Sequence, residues 1–189
     1  MQLPTVKLPA KLQPFKGVIL FAVVLMLSNF FWKYNVLGDE APDADSMVTF
    51  WGMDISAPFV WMAHHVATMT YSILHLFNSD IQMNAQNVLR YSNGNSVQVI
   101  WACTGLKQTF ICFCIFAFAR GSWKKKLWYV PITLLMVYSF NIFRITFIVG
   151  CIQHHPDWFE FLHLYLLKYI FYGVIFMMWV LWEERIADK

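Results

Sequence analysis

Long runs of apolar residues constrain this chain more than any other feature of its sequence. They cover approximately residues 17–36, 104–119, 127–152 and 161–182, and a more polar run covers 57–77. About 20 mainly apolar residues suffice for an α-helix to cross the hydrocarbon core of a bilayer. With 59% hydrophobic and 13% charged residues, the composition also lies outside the range of ordinary soluble domains. We therefore predict an all-α integral membrane protein, a helical bundle that forms one membrane domain over residues 1–189.

The distribution of lysine and arginine predicts the orientation of the bundle. The densest positive cluster, residues 120–126, connects two of the predicted spans, and such clusters favour the cytoplasmic side. Counting outward from this connection places Cys103, the loop 153–160 and the start of the last span outside. Residues 1–16 carry three lysines among three prolines, which predicts a basic cytoplasmic tail before a retained first span. An acidic loop, 38–45, follows that span. We expect a multi-pass protein of the inner, or cytoplasmic, membrane.

The run 57–77 has two interpretations, because it is apolar but contains His64, His65 and His75. It is either an amphipathic helix in the membrane interface or a further span. The first gives four transmembrane helices with a cytoplasmic N-terminus. The second gives five and moves the lysines of the N-terminal tail outside, so we prefer four.

A β-hairpin is predicted for residues 87–101, on the outer side. Two short strand-like runs flank Asn93-Gly94, and Asn-Gly between such runs is a strong hairpin signal. The second strand leads directly to Cys103.

Three polar side chains of successive spans are predicted to share one layer under the outer headgroups. Cys103 opens its helix, where the helix dipole and Lys107, one turn further on the same face, favour the thiolate. Arg144 follows Leu127 by 17 residues, about 25 Å of helix, and so lies near the outer end of its span. His163 lies in the first turn of the last span. A guanidinium within an apolar helix indicates a functional site, although Arg144 could instead contact headgroups or the acidic loop.

Further residues are candidates for substrate binding at this layer. Asn141 lies one turn before Arg144 and could orient it, and Lys107 lies close to Cys103. His154 and His155, in the loop 153–160, are either solvated or compete with His163 for the role of the reacting imidazole.

The pattern of these residues resembles the exosortase and archaeosortase family of membrane transpeptidases. The matching pieces are Ala102-Cys103-Thr104-Gly105, Asn141-Ile142-Phe143-Arg144 and His163. The resemblance implies cleavage of the C-terminal sorting tail of an exported protein substrate, with Cys103, Arg144 and His163 as the catalytic residues. A thioester on Cys103 would be resolved by a lipid or glycan acceptor. The family's common Cys-Ser-Gly is Cys-Thr-Gly here, and many members are longer.

Other classes of function are less compatible with the sequence. The net charge of +3 is scattered, so no nucleic-acid partner is predicted. The four cysteines form no CxxC pair, which predicts no metal site and no cofactor, although a bridge between Cys103 and Cys151 stays open. The main alternative is a non-enzymatic helical membrane protein that binds haem or another ligand through its histidines. A small transporter and a purely structural subunit are weaker alternatives.

Overall fold

A computed structural model describes residues 15–38, 47–77 and 80–187 and is mostly helical. Most of the predicted basic tail and of the acidic loop lies outside the described residues. Within these residues the bundle consists of five helices, namely α1 (Lys16–Asn35), α2 (Ser56–Phe77), α3 (Leu106–Phe118), α4 (Trp123–Ile152) and α5 (Trp158–Ala187).

Three of the described helices, α1, α4 and α5, are long and apolar enough to cross a membrane. Helix α3 is apolar but has only 13 residues, about 20 Å of helix against a hydrocarbon core of about 30 Å. Many large apolar side chains of the three long helices face outward. This is the distribution that lipid favours, since it supplies apolar surroundings without a protein partner.

One end of the bundle contains the positive cluster 120–126, and we call it the basic end. Trp182 donates from Nε1 to the carbonyl of Arg120 at 2.7 Å, and Lys125 donates from Nζ to the carbonyl of Ile186 at 2.8 Å. Gly17, at the start of α1, lies beside Trp179. The cluster 120–126, the start of α1 and the end of α5 therefore lie together.

The opposite end carries two small antiparallel sheets, and we call it the cysteine end. The first sheet consists of β1 (Val36–Gly38), β2 (Val48–Phe50) and β3 (Met53–Asp54). The second consists of β4 (Ile81–Met83), β5 (Val88–Tyr91) and β6 (Ser96–Gln98). Strands β5 and β6 form the hairpin predicted over 87–101, with Leu89 opposite Val97. The first sheet was not predicted.

The hairpin is fastened to the last turn of α4. Its tip donates from Asn95 Nδ2 to the carbonyl of Ile152 at 2.9 Å and from Asn93 Nδ2 to that of Gln153 at 2.7 Å. Tyr91 donates its hydroxyl to the carbonyl of Val149 at 3.1 Å, and burial raises the pKa of this phenol. The last carbonyls of a helix have no partner within it, so these contacts satisfy the end of α4.

Helix α2 packs along the half of α4 that is nearer the cysteine end. His65 Nε2 lies 2.6 Å from the hydroxyl of Tyr138, and Leu74 lies beside Gly150. The two helices therefore run in the same direction here. Among the described helices that have at least 18 residues, α2 alone is not a candidate span. The second observation agrees with the interfacial interpretation of 57–77, which stays a prediction.

Candidate functional site

The turn that carries Cys103 precedes helix α3 and is not part of it. Residues Trp101–Cys103 form a short 3-10 turn, and α3 begins only at Leu106. Thr104 donates its hydroxyl to the carbonyl of Trp101 at 2.7 Å and accepts from the backbone N–H of Leu106 at 3.4 Å. Serine and threonine both make such local bonds, so Cys-Thr-Gly supports the same turn as Cys-Ser-Gly.

This turn corrects the expected relation between Cys103 and Lys107. They are four positions apart, but Gly105 between them has a left-handed backbone with φ of +76°. The spacing that puts residues i and i+4 on one face applies within a continuous helix, so it does not place Lys107 beside the thiol. Lys107 instead lines a cavity together with residues of α1.

Asn141 joins the cysteine turn to α4. It is fully buried and donates from Nδ2 to the carbonyl of Cys103 at 2.9 Å. A Cβ atom on Gly105 would lie 2.8 Å from Asn141 Cγ, closer than real Cβ atoms come. Glycine therefore serves two needs at position 105, the positive φ and the close approach of Asn141. Asn141, predicted to orient Arg144, contacts the cysteine backbone.

Arg144 lies one turn beyond Asn141 on the same face of α4 and is only 6% exposed. Its Nη2 donates to the backbone carbonyl of His163 at 3.2 Å and lies 3.4 Å from Nδ1 of the same residue. The guanidinium also interacts electrostatically with Cys103 and with Tyr172 of α5. Its buried Nε has no hydrogen-bond partner among the described residues. The guanidinium thus keeps one donor without a partner among the described residues, on a side chain that interacts electrostatically with Cys103.

His163 lies in a π-helical stretch of α5, Phe161–Leu166. Such stretches are uncommon and occur often at functional sites. The imidazole is partly buried and stacks on Phe159, with ring centroids 5.3 Å apart and planes 8° from parallel. Because a guanidinium only donates, Nδ1 must accept from Arg144, and the ring proton of the neutral imidazole is then on Nε2.

The other histidines lie apart from this contact. His154 and His155 are exposed in the turn between α4 and α5, where His155 stacks on Trp158. His64 contacts Asn87, and His65 contacts Tyr138. Within the described residues, no group of three or more histidine, cysteine, aspartate or glutamate side chains could hold a metal ion. Because these histidines contact different partners, they are not arranged as one set of haem ligands. This arrangement does not favour the haem alternative.

Two neighbours of the site, Phe159 and Tyr172, were not predicted. Neither lies in a motif, and the π-helical stretch between them changes which residues of α5 share a face. All four cysteines are free thiols, so the structure contains no bridge between Cys103 and Cys151.

Comparison with protein families identifies the family of the chain. The family model described as transmembrane exosortase (Exosortase_EpsH) matches residues 46–182, nearly three quarters of the chain. The chain belongs to the transmembrane exosortase family. This confirms the resemblance, and the positions of Cys103, Asn141, Arg144 and His163 lie within the matched range. No curated protein and no solved structure matches the chain.

Exosortase membership establishes the general class of the protein. Together with the apolar helices, it supports a multi-pass membrane protein. It supports a membrane transpeptidase or protease in general, and it implies a protein substrate that carries a sorting tail. Family membership alone does not identify the residues that react, so the assignment of their roles depends on the geometry of the site.

Proposed function

We propose that this exosortase is a cysteine transpeptidase that cleaves the sorting tail of an exported protein and transfers the protein to a surface acceptor. The observation that carries the proposal is the joint between the cysteine turn and α4. Asn141 holds the carbonyl of Cys103, and Arg144 lies one turn further along. A thiol and a buried guanidinium, far apart in sequence, thereby share one site.

In the proposed reaction, the Cys103 thiolate attacks the scissile carbonyl carbon and forms a thioester while the tail leaves as an amine. The electrostatic contact between Arg144 and Cys103 supports this role, because a fixed positive charge favours the thiolate. Arg144 Nε, buried and without a partner, is a suitable donor to the oxyanion of the tetrahedral intermediate. An acceptor amine or hydroxyl then resolves the thioester.

We propose that the main role of His163 is to position Arg144. The backbone carbonyl and Nδ1 of His163 both face Arg144 Nη2, and the stack on Phe159 restrains the ring. With Nδ1 accepting from a guanidinium, the imidazole is neutral and is a poor proton donor. In this arrangement the leaving amine takes its proton from water at the headgroup layer.

The cysteine end is proposed to face the exterior. The clustering of Arg120, Lys124, Lys125 and Lys126 at the basic end supports this orientation, since such clusters favour the cytoplasm. A substrate tail with its own apolar helix could then diffuse laterally to the bundle while its cut site lies level with Cys103. The hairpin, fastened to α4, is available to limit water at the site and so favour transfer over hydrolysis.

Trapping of the acyl-enzyme tests this function. An exported reporter that ends in a sorting tail is co-expressed with the enzyme, and a thioester is sought by hydroxylamine release and mass spectrometry. We expect Cys103→Ala to abolish cleavage, while Cys151→Ala, at the same end of the bundle, retains it. Arg144→Lys should lose at least about 10²-fold, because an ammonium does not reproduce the donor geometry. Normal cleavage by folded Cys103→Ala would contradict the proposal.

A further inference from the structure

A second site is suggested by a cavity of about 340 Å³ between α1 and the cysteine turn. Trp32 and Lys33 line it from the end of α1, and Lys107 lines it from the start of α3. Ala102 and Thr104, the two neighbours of Cys103, complete the wall on the other side. The cavity therefore adjoins the cysteine turn but is formed by different side chains from the contact between Arg144 and His163.

The charge of the cavity favours an anion. Lys33 and Lys107 both line it and interact with each other electrostatically, and Lys168 adds a third positive charge that acts on Lys107. None of the described residues that line the cavity is acidic. Lys107 is partly buried and Lys33 is exposed. Like charges that line one cavity repel one another, so an anion between the lysines would be favourable.

The walls of the cavity are already formed. Gly38 packs directly on the indole of Trp101, where an added Cβ would collide with the ring. Phe59 contacts the same indole edge-on, with centroids 5.9 Å apart. Trp101 is thus held on two sides, and a ligand would not need to order it on binding.

The position of the cavity indicates which kind of anion lies close enough to enter it. Trp32 and Lys33 end an apolar helix that is long enough to cross a membrane, and aromatic and basic residues at such ends lie among the lipid headgroups. Phe30, Phe31 and Tyr34 beside them are exposed, as lipid contact requires. The volume is near the lower limit for small-molecule pockets, which suits a headgroup better than a peptide segment.

We propose that this cavity binds the phosphate-bearing headgroup of an anionic lipid, with the phosphate between Lys33 and Lys107. The inference does not require Cys103 to be reactive. It can therefore hold or fail independently of the proposed transpeptidase activity, and it is tested on the Cys103→Ala protein.

Calorimetric titration of the full-length Cys103→Ala protein in a neutral detergent tests the proposal. The probe is a short-chain phosphatidylglycerol, and we expect saturable binding at one site. Lys33→Gln with Lys107→Gln should weaken it roughly 25-fold, since each lysine near a headgroup is worth about a fivefold change in affinity. Lys124→Gln, at the basic end, is the matched control and should bind normally. Size-exclusion profiles verify that each variant is folded.

Parallel titrations distinguish the sources of the anion. A short-chain diacylglycerol without phosphate should not bind, and inorganic phosphate should bind more weakly than the lipid. Equal affinity for inorganic phosphate would identify free phosphate as the ligand and overturn the lipid assignment. Unchanged lipid binding by the double lysine variant would overturn the site. Asp39→Asn with Glu40→Gln should leave binding unchanged.

Discussion

At the scale of single residues, the contact between Arg144 and His163 restricts the chemistry of both side chains. Histidine often acts as a general acid and base, and the family resemblance implied a catalytic role for His163. Yet Arg144 Nη2 donates to the carbonyl of His163 and lies 3.4 Å from its Nδ1. To position Arg144, residue 163 needs only a hydrogen-bond acceptor at the place of Nδ1. Proton transfer needs the imidazole itself.

Substitution of His163 by asparagine separates the two roles. The amide oxygen of asparagine can accept from Arg144 but cannot transfer a proton. We expect His163→Asn to retain tail cleavage within about tenfold of the native enzyme, whereas general acid–base catalysis would make the loss 10²–10⁴-fold. His163→Ala should lose more than His163→Asn, and His154→Ala should behave as the native protein. Equal and severe losses in the asparagine and alanine variants would return His163 to the acid–base role.

At the scale of elements, the site depends on how the cysteine turn is attached to α4. Asn141 accounts for that attachment, and Gly105 makes it possible by leaving room for the amide. The sequence contained part of this information, because Cys103-Thr104-Gly105 and Asn141 belong to the recognised motifs. The contact itself could not be predicted, since an apolar run that starts near Thr104 does not reveal the left-handed residue before α3.

We expect Gly105→Ala to disrupt the attachment of the cysteine turn to α4 by more than backbone strain alone would. A positive φ in alanine costs about 1–2 kcal/mol, and the new Cβ would also collide with Asn141. The matched control is Gly52→Ala, because Gly52 has a φ of +79° but nothing within 4 Å of an added Cβ. We expect Gly105→Ala to lower the thermal unfolding midpoint further than Gly52→Ala and to reduce cleavage at least tenfold. Gly105→Ala with Asn141→Ala should cost less than the two changes summed, and additive losses would refute a collision at this joint.

At the scale of the whole molecule, hydropathy predicted most of the helices. Runs of apolar residues anticipated α1, α4 and α5, and Asn93-Gly94 anticipated the hairpin. The first sheet escaped prediction because strands of two or three residues are too short to show an alternating pattern. The π-helical stretch around His163 escaped too, because nothing in its local composition distinguishes it from an α-helix. Details such as this stretch, and the contact of Asn141 with the cysteine turn, therefore had to come from the structure.

If the basic end and the cysteine end lie on opposite sides of the membrane, the direction in which each segment crosses is set. This direction can be measured. We propose that the cysteine end is exterior, that the basic end is cytoplasmic and that α2 does not cross. Single cysteines are introduced at exposed positions of a protein without native cysteines, at Met53 and Asn84 on either side of α2, and at Ser122 near the basic end. An impermeant thiol reagent added to intact cells should label Met53→Cys and Asn84→Cys, but should label Ser122→Cys only after lysis. If α2 crosses, only one of Met53→Cys and Asn84→Cys will react in intact cells. Labelling of Ser122→Cys in intact cells would instead reverse the orientation and move Cys103 to the cytoplasmic side, where it could not act on exported proteins.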